Sequence, residues 1–99
     1  MKHCIIHRRL VEIEKINPTL SKKSRERANI AHKTILELIE NDENLILFDT
    51  ENPKKIPDYF QKGDEVMLHG AYLGMCLSTV YNGLIKKGVS VEIYPKGCI

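Results

Sequence analysis

The chain has 99 residues, 42% of them hydrophobic and 28% charged, with a formal net charge of +2. That length supports one domain, residues 1–99, with a modest core that needs no staples. So small a charge excludes an electrostatic case for nucleic acid, and no apolar run nears the ~18 residues a bilayer requires, so neither partner is expected.

Along the chain, strand-like and helix-like stretches alternate. Cys4-Ile5-Ile6 is a short apolar run suited to a buried strand, and it leads into His7-Arg8-Arg9. Residues 10–18 mix apolar and charged side chains without a clean period, and Asn17-Pro18 signals a turn. Ala28, Ala31, Ile35, Leu38 and Ile39 recur at helical spacing, which predicts a helix from Ser24 to about Glu40. The basic cluster Lys22-Lys23-Ser24-Arg25-Glu26-Arg27 is interrupted by acid and lacks aromatics, so it reads as a solvated helix start. Asn41-Asp42-Glu43-Asn44 ends the helix.

Leu45-Ile46-Leu47-Phe48 has the length of a strand covered on both faces, and Asp49-Thr50-Glu51-Asn52-Pro53 terminates it. One or two helical turns are expected from Ile56 to Gln61, with Pro57 near their start. Lys62-Gly63-Asp64 then turns into a third strand, Glu65-Val66-Met67-Leu68-His69. Leu73, Cys76, Leu77, Val80 and Leu84 mark a second long helix, closed by Gly88 after Lys86-Lys87. Gly83, inside that helix, marks close packing against the sheet or another subunit. A fourth strand, Val89 to Tyr94, alternates in polarity, and Pro95 is expected to end it.

This alternation predicts an α/β fold: a small, mostly parallel sheet of about four strands with helices on both faces, three-layered and Rossmann-like. If the first crossover runs to one face and the second to the other, the strand order is 2-1-3-4. The switch point then lies between the first and third strands, and ligands of such sheets bind beyond the carboxyl ends there. His7 follows the first strand and Cys76 lies beyond the third, so both are expected at that crevice.

Three cysteines, Cys4, Cys76 and Cys98, form no CxxC pair, and no signal-like apolar segment opens the chain. Free thiols and a cytoplasmic setting are expected. A thiol in the first turn of a helix faces unpaired N–H groups and the positive end of the macrodipole, and both favour the nucleophilic thiolate. Cys76 is therefore the candidate nucleophile. Free cysteine is also a common small core residue, and Cys76 lies on the apolar stripe of its own helix. Lys54 and Lys55, in a turn, read first as solvated side chains, and His69 ends a strand beside the crevice. Gly70-Ala71-Tyr72-Leu73-Gly74, near the helix start, offers backbone N–H groups to an anion but lacks the lysine and hydroxyl of a P-loop.

The segment Asp64-Glu65-Val66-Met67-Leu68-His69-Gly70, followed after five residues by Cys76-Leu77 and after one more by Thr79, resembles that of the isochorismatase-like cysteine hydrolases, the superfamily of nicotinamidases and carbamoylases. The likeness continues through Lys86-Lys87-Gly88-Val89-Ser90-Val91-Glu92-Ile93 and Gly97-Cys98-Ile99. Ile35 to Phe48 and Cys4-Ile5-Ile6-His7-Arg8-Arg9 are similar to the family's earlier segments, so that about two thirds of the chain is covered.

The resemblance implies an isochorismatase-like fold and hydrolysis of an amide or related C–N or C–O bond in a small molecule. The family's triad is an aspartate, a lysine and the cysteine. Here the aspartate position holds His7, the lysine falls to Lys54 or Lys55, with Lys55 taken as the third member, and Cys76 is the nucleophile. A histidine can replace the aspartate as base, because a Cys–His pair works near neutral pH. His69, Gly70 and Tyr72 are the candidate substrate contacts. No cofactor is expected, and the metal site of nicotinamidases has no counterpart at ligand spacing.

The family usually has about twice this length, with the aspartate intact. Those departures support the alternative expectation, a catalytically inactive remnant acting as a binding or assembly protein. A homo-oligomer is expected, because a partner subunit would shield the edge or face of a short sheet. A third expectation is a thiol or sulfur carrier that uses Cys76 alone.

Overall fold

The computed structural model describes residues 1–42, 44–49 and 51–99. Glu43, expected in the break after the long helix, and Thr50, expected in the turn after the second strand, lie outside the described residues. The chain runs β1 (Lys2–Ile6), α1 (Arg8–Ile16), α2 (Lys22–Asn41), β2 (Ile46–Phe48), a 3-10 turn (Ile56–Tyr59), β3 (Glu65–Gly70), α3 (Cys76–Lys87) and β4 (Ser90–Cys98). All pairings are parallel, in the order β2-β1-β3-β4. This is the α/β arrangement that the alternation predicts, with the switch between β1 and β3.

The two faces follow from the period of two along the strands. Cys4 and Ile6 of β1 and Val66 and Leu68 of β3 join Leu77, Val80 and Leu84 of α3 in one buried cluster. Ile5, between them, points the other way and meets Val11 of α1 and Ala31 and Ile35 of α2. Burying each such aliphatic side chain contributes roughly 1.5–3 kcal/mol, so these two clusters hold the three layers together. Among the described residues, no helix is long and apolar enough to cross a membrane.

Several elements differ from expectation for identifiable reasons. Residues 8–16 form a helix, although only Val11 is fully buried in it; Ile13 and Ile16 are exposed, which is why no clean period is visible. The long helix begins two residues before Ser24, because the Ser21 hydroxyl caps it, accepting from Ser24 N at 3.1 Å. The basic residues of its first turns are mostly exposed, as a solvated helix start requires. β2 is an edge strand, not one covered on both faces, and Leu47 is 44% exposed. Gly83 packs not on the sheet but on the 3-10 turn: a Cβ there would lie 2.6 Å from Pro57 Cγ. Gly88 closes α3 at φ 86°, the left-handed cap expected of it.

Pro95 does not end the fourth strand. The β3–β4 register passes from Leu68↔Ile93 to Gly70↔Cys98, so Tyr94, Pro95, Lys96 and Gly97 all stand opposite His69. Within such a bulge proline removes no ladder hydrogen bond, and β4 resumes at Cys98.

Candidate active site

Cys76 is the first residue of α3, within the first turn where the sequence places it, whereas Leu73, expected on the same helix, lies in the turn before it. The turn before it is held at both ends. Leu73 N donates to Ile99 O at 2.8 Å, and Met75 N and Leu77 N both donate to Tyr72 O, at 3.0 and 3.1 Å. Thr79 N donates to Met75 O at 3.0 Å. Among the described residues, the N–H groups of Gly74, Cys76 and Ser78 have no backbone acceptor, so the donors of the helix terminus remain open. The Ala71–Tyr72 peptide within this turn is cis.

The Cys76 side chain is half-buried. It packs on the α3-side core and also lines a cavity of about 410 Å³ with Asn52, Lys54, Met75, Thr79 and Asn82. No acidic side chain lines this cavity among the described residues. Its charge comes from Lys54 and from the partial positive end of α3. The Ser78 and Thr79 hydroxyls both donate to carbonyls of the turn, to Leu73 O at 2.7 Å and Met75 O at 3.2 Å. They are therefore capping groups with acceptor lone pairs left over.

The other two thiols are of a different kind. Cys4 and Cys98 are fully buried, and burial pushes them up to about 12 and about 11. Cys98 Sγ lies 3.1 Å from Tyr94 O and 3.7 Å from Leu68 O, as a weak donor inside the sheet. All three cysteines are free.

His7 lies at the carboxyl end of β1, in the left-handed region at φ 54°. Histidine is among the residues that tolerate this conformation best. Its N–H donates to Phe48 O at 2.9 Å, which ties the ends of β1 and β2. Its Nδ1 is 3.0 Å from Asp49 O. A carbonyl only accepts, so Nδ1 carries the proton and Nε2 is left as a basic nitrogen. The ring does not line the Cys76 cavity. Asp49, which reads in sequence as a turn residue, brings a carboxylate to the same end of the sheet; its Oδ1 is buried without a partner among the described residues.

Lys54 is the lysine at the Cys76 cavity, whereas Lys55 lines a separate groove with Glu51, Asp58 and Tyr59. Nothing in the sequence distinguishes the two, since one residue of turn register decides which faces α3. Gly70 sits at φ 113°, where a Cβ would come within 1.9 Å of Ile6 O. The β1 backbone fills the space a side chain would need there, and glycine alone fits. The Tyr72 ring packs on the α1–α2 side, where desolvation, then the Glu14 carboxylate, and the Cys76 thiol raise its phenol above the ordinary value.

His69 is fully buried on the α2 side of β3, with Nε2 3.1 Å from His3 Nδ1. Desolvation, then the like charge of His3, lowers it to about 4. His3 carries no signal in sequence; it meets His69 because Ile5 pairs with His69 in the sheet register, and His3, two residues before Ile5, lies on the same face. Among the described residues, no three metal-ligating side chains gather.

Comparison with known proteins finds no matching family model, no matching curated protein and no matching solved structure.

Proposed function

We propose that the protein is an isochorismatase-like hydrolase in which Cys76 is the nucleophile, acting on an amide or related C–N or C–O bond of a small molecule. The observation that carries this reading is the placement of Cys76 at the first residue of α3, on an open cavity beside Lys54, while both other thiols are buried. In this reaction the Cys76 sulfur attacks the carbonyl carbon and a C–S bond forms. The carbonyl π electrons move to oxygen, which receives hydrogen bonds from the open N–H groups of Gly74, Cys76 or Ser78. The thiol proton passes to a base and then to the leaving amine or alcohol, and water cleaves the thioester. His7, whose ring lies outside the Cys76 cavity, can serve as that base only through a bridging water. Lys54, rather than Lys55, supplies the positive charge.

The test is selective alkylation. Iodoacetamide should modify Cys76 first in the native protein, and hydrolysis of a small amide or ester should fall in proportion. Hydrolysis that persists with Cys76 fully carboxamidomethylated would overturn the assignment.

A second reading, a binding or assembly protein, draws on the outer edges of β2 and β4 and on half-exposed Leu47. These would be shielded in a homo-oligomer. Light scattering that shows a clean monomer at micromolar concentration would dispose of it.

A further inference from the structure

His69 closes the end of β3 against the far end of β4. Its Nδ1 has no partner among the described residues, and a Cβ on Gly97 would lie 2.5 Å from it, so the Gly97 backbone caps this nitrogen. The His69 ring also meets Tyr94 edge-on, with centroids 5.5 Å apart. Two neutral histidines carry two ring protons, and one fills the His3–His69 bond. Placing the other on His69 Nδ1 would bury an N–H without an acceptor. The favoured arrangement therefore has His69 Nε2–H donating to His3 Nδ1, with the second proton on His3 Nε2.

A third proton has no such place. It lands on His69 Nδ1 directly, or it goes to His3 Nδ1 and drives the His69 proton round to Nδ1. Either route puts an N–H against Gly97. Residues 97–99 are held there by Ile99 N donating to Gly70 O at 3.0 Å, Leu73 N donating to Ile99 O at 2.8 Å, and the Cys98 thiol against Leu68 O.

We propose that the His3–His69 pair is an acid-released latch on residues 97–99: protonating the pair lifts this segment off β3 while the rest of the fold persists. Because Leu73 donates to Ile99, release also frees the turn that presents Cys76. The groups around the pair are His3 from β1 and Tyr94 from β4. Beyond Tyr94, the groove between α2 and β4 carries Glu37 and Lys96, and Arg27 of α2 acts on Cys98. Burial of His69 confines the release to acid.

The two buried thiols supply the assay, because Cys98 lies in the latch and Cys4 lies in β1. The protein is treated with a pyridyl disulfide, which reacts with thiols in acid, at stepped pH from neutral to about 4, and each cysteine is mapped by mass spectrometry. The proposal expects Cys98 to become reactive while Cys4 stays protected. Cys98 remaining closed, or opening only together with Cys4, would overturn it. His69→Phe should abolish the acid step. His3→Gln, a milder change, removes the ring nitrogen that accepts from His69 and offers the second route for the third proton, so it should shift the midpoint; an unmoved midpoint would overturn the role of the pair even if His69→Phe does not fold.

Discussion

Replacing Gly70 by alanine tests the geometry of the crevice where it is tightest. At φ 113° an L side chain is strained, at a cost of about 1–3 kcal/mol. A Cβ 1.9 Å from Ile6 O cannot coexist with the Ala71 N–Ile6 O bond of 2.9 Å, so the ends of β1 and β3 must part. Losing that bond, and the Ile99 N–Gly70 O bond beside it, adds about 1 kcal/mol each. The sum, roughly 3–5 kcal/mol, is a large share of the 5–15 kcal/mol that holds a domain of this kind folded. Urea unfolding followed by circular dichroism should show the midpoint falling with the slope unchanged. Gly74→Ala is the control: nothing lies within 4 Å of its Cβ and its φ is ordinary, so it should change stability by less than about 1 kcal/mol. If Gly70→Ala were as mild as Gly74→Ala, the account of the β1–β3 approach would be wrong.

Three further outcomes are expected. Gly83→Ala should destabilise by roughly 1–2 kcal/mol, because displacing Pro57 outweighs the gain of about 1 kcal/mol in helix propensity; thermal melting decides the sign. For His69, the folded value of about 4 lies below the unfolded 6.5, so the unfolded chain takes up a proton that the folded chain refuses. Stability should therefore fall as pH drops from 6.5 towards 4, by up to roughly 3 kcal/mol, and urea midpoints that stay flat across this window would contradict the burial of His69. Cys4 and Cys98, held protonated by burial, should resist alkylation at neutral pH until the protein is unfolded in urea, which peptide mapping will show.

Where a residue's neighbours in space are also its neighbours in the pattern, the sequence was readable. The strand order follows from the alternation once the crossovers take opposite faces, and the α3 boundary at Gly88 follows from a local cap. Helix α1 was hidden because it buries little more than Val11 and leaves Ile13 and Ile16 in solvent. The continuation of β4 through Pro95 depends on the bulge opposite His69, which only the pairing with β3 creates. At the candidate site the position of Cys76 was legible from strand, glycine and helix signals. That Lys54 rather than Lys55 faces it, and that His69 is tied to His3, depends on the turn after β2 and the register of β1 on β3. Neither has a local signature.

If Cys76 forms a covalent bond with substrate, intact-mass spectrometry will detect the adduct. The protein is mixed briefly with an activated small ester, quenched in acid and mapped. One acyl group is expected, on Cys76, that disappears as hydrolysis completes and never forms in Cys76→Ser. An unmodified Cys76, with hydrolysis equal in the wild type and in Cys76→Ser, would contradict the covalent bond.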